Sequence, residues 1–78
     1  MSDPRFLQDG YDAQLGHFVE ECGEVLTAIG KTMRWGLNSV NPLLPRLEQE
    51  TNRAWMRREM CDLRLAMDRL EATLDTMP

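Results

Sequence analysis

Apolar residues recur at helical spacing in two long stretches of this chain, with one break between them. In the first stretch, Leu15, Phe18, Val19, Cys22, Val25, Leu26, Ile29 and Met33 fall on one side of a helical wheel turned by about 100° per residue. Beside them His17, Glu21, Glu24, Ala28, Lys31 and Trp35 make a second stripe, whereas Glu20, Thr27 and Arg34 point elsewhere. In the second stretch Met56, Met60, Leu63, Met67, Leu70 and Leu74 form the apolar stripe, and Trp55, Glu59, Asp62 and Ala66 run alongside it. The break, from Gly36 to Pro45, holds one glycine, two asparagines and two prolines and stops either helix. The pattern predicts helices over about 12–36 and 45–75, a connection over 37–45, and a single domain over 1–78.

Finer signals fit this outline. Asp12 is expected to cap the first helix, and Glu48 and Glu50 to favour the positive N-terminal end of the second. Ser2-Asp3-Pro4 predicts a short turn over 3–9, ended by Gly10. Val40, Leu43 and Leu44 are too apolar for a solvated linker and are expected to pack. The fold class is therefore all-α, an antiparallel helical hairpin. A chain of this size buries only about 60% of its extended surface. Assembly into a four-helix bundle, as a homodimer or homotetramer, is the expected remedy.

The hairpin brings particular residues together. Chain positions equidistant from its midpoint lie at one level, and the pairs Glu21/Asp62 and Glu24/Glu59 share the midpoint 41.5, inside the break. Four carboxylates are thus expected to meet on the edges of two apolar faces. Like charges at close range raise one another's pKa, and a divalent cation relieves them. An all-oxygen set without His or Cys at ligand spacing suits Mg²⁺ or Mn²⁺ rather than zinc. Magnesium held by carboxylates keeps positions open for water and phosphates, which points to phosphate-ester or phosphoanhydride chemistry.

Composition narrows the field. Nine basic residues against 13 acidic ones give a net charge of −4. The first 30 residues carry six acids and one base, and the remainder eight bases and seven acids, with the basic residues of the second helix scattered around the wheel. Nucleic acid is therefore not an expected partner. No apolar run approaches the ~18–20 residues that span a membrane, and the N-terminal sequence does not read as a secretory signal. The expectation is a cytoplasmic protein without a membrane partner. Cys22 and Cys61 also share a level, but Cys61 projects away from the apolar stripe and a disulfide is not expected.

Glu20-Glu21-Cys22-Gly23-Glu24 reads as E-E-x-x-E, and Glu59-Met60-Cys61-Asp62 as E-x-x-D. The two motifs on consecutive helices resemble the signature of the MazG-like all-α nucleoside triphosphate pyrophosphohydrolases, over about residues 14–75. The resemblance implies hydrolysis of a nucleoside triphosphate, ribo or deoxy, to the monophosphate and pyrophosphate. It implies metal ligands at Glu21, Glu24, Glu59 and Asp62, with Glu21 and Glu24 as the catalytic carboxylates and Glu20 in a supporting role at most. It further implies that Lys31 and Arg34 neutralise substrate phosphates. Many members of that superfamily add helices over the base and sugar, so a partner subunit is expected to supply any lid here. Trp35 and Trp55, on the site-facing stripes, are candidates to stack a base, and Asn38, Asn41, Asn52 and His17 to contact base or sugar.

Plainer readings stand beside these. The acids also fit two solvated faces pairing with arginines, individually weak contacts. The tryptophans fit packing anchors and His17 a polar residue at the core edge. The alternatives to an enzyme are a MazG-like metal- or nucleotide-binding protein without turnover and a helical interaction module that uses its Met-rich stripe on a partner.

Overall fold

A computed structural model describes residues 10–78, so the turn expected over 3–9 lies outside the described residues. Two helices of 25 residues each, α1 (Tyr11–Trp35) and α2 (Asn52–Thr76), pack against each other as an antiparallel hairpin, and no strand is present among the described residues. Neither helix is long and apolar enough to cross a membrane.

α1 starts one residue before the expected position, and Asp12 does not cap it. The cap position is Gly10, which supplies no side-chain bond, and Asp12 sits in the first turn, where its charge still favours the helix dipole. At the other end Gly36 takes φ 92°, a conformation costly for any residue with a Cβ, and its N–H closes on the Thr32 carbonyl at 2.8 Å.

The second helix begins later than the sequence pattern suggests. Pro45 opens only a single 3-10 turn, Arg46–Glu48, and the chain then runs extended through Gln49 to Thr51. The reason lies in the helix ends. Thr51 caps α2 by accepting from the Ala54 N–H at 3.2 Å. The Asn52 and Arg53 N–H groups, orphans at any helix start, are taken by the Ser39 and Leu37 carbonyls of the connection, both at 2.9 Å. Reciprocally, the buried Asn52 amide donates to the Gly36 carbonyl at 2.9 Å and to that of Lys31 at 3.4 Å. The connection thus stitches the end of α1 to the start of α2, with Val40 bridged to Thr51. Starting α2 at Pro45 would forfeit all of these bonds. Of the connection's apolar residues, Val40 and Leu44 are partly covered and Leu43 is almost fully exposed.

The seam between the helices does not follow the greasiest arcs. Its buried residues are Gln14, Val25 and Ala28 from α1 and Asn52, Glu59 and Ala66 from α2. Ala28, Glu59 and Ala66 lie on the stripes that carry the carboxylates, and Val25 comes from the neighbouring apolar arc. The apolar arcs are only partly covered: Val25 is buried and Leu15, Phe18, Met56, Leu63 and Leu70 are half-buried, while Val19, Leu26 and Met33 stand at 69%, 68% and 84% exposure. The particle is long, 48 × 23 × 16 Å, with a radius of gyration of 15.0 Å. A compact chain of this size would have about 11 Å.

Candidate functional site

Because the seam passes through the polar stripes, it places acids from both helices in one another's path. Glu21 of α1 and Glu59 and Asp62 of α2 each present a carboxylate oxygen, and all three oxygens lie within 4.8 Å of one another. Glu24, one turn on from Glu21, is close enough to both Glu21 and Glu59 for its charge to raise the pKa of each. Three of the four expected acids thus converge, and Glu24 stands beside them without belonging to that set. Glu20 is exposed and outside the group.

Burial makes the cluster costly. Glu59 is only 4% exposed, and Glu21 is half-buried. One oxygen of each has a partner: Glu21 Oε1 lies 3.3 Å from His17 Nε2, and Glu59 Oε1 accepts from Arg58 Nη1 at 2.9 Å. The other oxygen of each, Oε2, is buried with no hydrogen-bond partner. Desolvation pushes the Glu59 pKa up to about 7, and the neighbouring Glu24 and Asp62 add to the rise while Arg58 opposes it. Glu21 is raised for the same primary reason, with Glu24 and Asp62 adding and His17 opposing. Two stable solutions exist for such a group, a proton shared among the acids or a divalent cation among them. The donor set is hard and all-oxygen, which fits Mg²⁺ or Mn²⁺.

Two cavities lie along the hairpin, and acids line one of them. The smaller, about 320 Å³, is lined by Glu24, Thr27, Trp55, Arg58 and Glu59. The larger, about 680 Å³, lies toward the connection between Lys31, Trp35, Asn52 and Trp55, and is closed by residues from Ser39 to Leu43. Trp55 lines both. The volume of the larger cavity falls in the range usual for small-molecule sites.

No protein-family model, curated protein or solved structure matches this chain. The geometry alone therefore assigns roles.

Lys31, Trp35, Trp55 and Asn41 line the larger cavity, and Asn52 lines it with its amide nitrogen already committed to the end of α1. Arg34 lines neither cavity; its guanidinium stands 5.0 Å over the Trp35 ring, so it braces that ring rather than facing the acids. His17 also lies outside both cavities and serves as the partner of Glu21. Cys22 and Cys61 are free thiols. Arg58 and Glu50 escaped the sequence reading as site residues. The only signal was the adjacency of Arg58 to Glu59, and adjacent residues on a helix do not normally face each other.

Proposed function

We propose that this protein is a Mg²⁺-dependent nucleoside triphosphate pyrophosphohydrolase of MazG-like type that works as a homodimer or homotetramer. The observation that carries the reading is the pair of buried, unpartnered Oε2 atoms of Glu21 and Glu59 in a cluster with Asp62, next to a cavity lined by Glu24 and Trp55.

Glu21, Glu24, Glu59 and Asp62 would hold the cation, Mg²⁺ or Mn²⁺. When bound, such an ion polarises phosphoryl oxygens and acidifies a water. The chain supplies the rest. Glu24 is exposed and lines the cavity next to the cluster, which suits it to take the proton of the attacking water. Lys31 offers its ammonium to the triphosphate from the wall of the larger cavity. Trp35 and Trp55 offer flat faces to a base, and stacking of this kind is worth about 1–3 kcal/mol. Water attack at the α phosphorus breaks the α–β bridge, giving the monophosphate and pyrophosphate.

Self-association is part of the proposal. Val19, Leu26 and Met33 on α1, and Met60, Met67 and Leu74 on α2, are spaced by seven residues and exposed on the lone hairpin. Ridges at heptad spacing are what helices present to one another in bundles. Covering them would contribute about 1.5–3 kcal/mol per fully buried side chain.

Incubation with the common ribo- and deoxyribonucleoside triphosphates plus Mg²⁺, followed by chromatography, tests the reaction. The expected products are monophosphate and pyrophosphate, abolished by EDTA. Diphosphate with orthophosphate, or no turnover of any substrate, would count against the assignment.

A further inference from the structure

Arg58 reaches in two directions. Its Nη2 lies 2.6 Å from Glu50 Oε1, its Nε lies 3.5 Å from Glu50 Oε2, and its Nη1 donates to Glu59 Oε1 at 2.9 Å. The first two contacts form a fork on one carboxylate, and the third holds another. Glu50 stands just before the Thr51 cap, so the guanidinium spans from the entry of α2 to the acidic cluster. That bracing explains how a residue adjacent to Glu59 on a helix comes to face it.

We propose that Arg58, braced by Glu50, is a positioning residue for the acidic site, fixing Glu59 by Oε1 so that Oε2 stays free for a divalent cation. The inference rests on the reading of the carboxylates as a cation site. Three observations carry it. Glu59 is nearly inaccessible, and its Oε2 has no hydrogen-bond partner. Among the described residues, Arg58 alone forms an ion pair with Glu59. Finally, Glu50 offsets the positive charge that would otherwise repel an incoming cation, so that Arg58 contributes its donor geometry with little net charge. An ordinary surface ion pair has no need to tether a buried acid. Partners that orient ligating carboxylates are a regular feature of metal sites. Lysine lacks the planar fork and cannot serve both carboxylates in the same way.

The test is a Mn²⁺ titration of the full chain without nucleotide, following loss of the free-ion signal by electron paramagnetic resonance. Arg58→Gln is expected to weaken Mn²⁺ binding by about 10–100-fold, the usual cost of losing such a partner. Arg58→Lys should recover only part of the loss. Glu50→Gln, a change at the edge of the site, should also weaken binding, because it frees the guanidinium and uncovers its charge. Melting in EDTA should change little in Arg58→Lys and Glu50→Gln, which separates positioning from mere folding. Arg58→Gln or Glu50→Gln binding Mn²⁺ as tightly as wild type, or more tightly, would overturn the inference and leave the cation site standing. Wild-type protein that binds no Mn²⁺ would remove the site itself and the inference with it.

Discussion

Glu59→Gln is expected to abolish turnover and at the same time to make the metal-free protein more stable. The two effects have one cause. Glu59 is buried beside Glu24 and Asp62, and its raised pKa means that the folded chain resists the charge it would carry at neutral pH. A neutral amide keeps an oxygen for Arg58 and removes the repulsion. The expected gain is about 1 kcal/mol or more, seen as a rise of about 4–8 °C per kcal/mol for a domain of this size. Turnover should fall by at least about 100-fold, the scale of losing one group that stabilises charge at a reacting centre. Asp62→Asn should behave in the same way. Glu20→Gln, outside the cluster, should leave both properties within a few-fold of wild type. Thermal melting in EDTA and a pyrophosphate-release assay check both halves. A Glu59→Gln protein that unfolds, or that keeps full turnover, would mean that the acid is structural.

Leu26→Asp carries the other large expected effect, on assembly. In the isolated hairpin Leu26 is well exposed and lies outside the seam, so the substitution removes no internal contact of consequence. Should the outward ridges pack against a second copy, an aspartate there would bury a charge in an apolar interface, at a cost of several kcal/mol. The variant is expected to elute at the size of a single chain and to melt well below wild type, since a lone hairpin has only Val25, Ala28 and Ala66 as buried apolar residues among those described. Light scattering coupled to gel filtration reads the mass. A variant identical to wild type in mass and melting would place the ridges in solvent.

Much of this layout was legible in the sequence because a hairpin with a short connection has little freedom of register. Once the break near residues 36–45 was placed, Glu21, Glu59 and Asp62 were bound to converge, with Glu24 beside them. The start of α2 was less legible. A proline followed by acidic residues reads as a helix entry, and only the three-dimensional fit of Asn52 to the end of α1 moves the start to Thr51. The wheel also located the apolar arcs correctly but could not say which side each helix would turn to its neighbour. The hairpin closes most tightly along the polar stripes, with small residues at Ala28 and Ala66, and covers the arcs only in part. Arg58 was hidden for a related reason, since its contact with Glu59 depends on Glu50, eight residues away along the chain. Arg34, turned off the stripe by the wheel and proposed for phosphate only through the family resemblance, stacks on Trp35.

If the buried acids hold a divalent cation, as proposed, melting with and without Mg²⁺ at two pH values will show it. In EDTA the folded-state pKa values of Glu59 and Glu21 lie above their unfolded values, so the folded chain binds more protons between the two. The contribution of these groups to stability is full below the unfolded carboxylate pKa of about 4.5 and is lost as pH rises from there through about 7. Melting in EDTA should therefore be lower at pH 8 than at pH 5. Millimolar Mg²⁺ should raise it at pH 8, where the acids are ionised and ready to bind, and far less at pH 5. Equal melting with and without Mg²⁺ at pH 8 would contradict the claim.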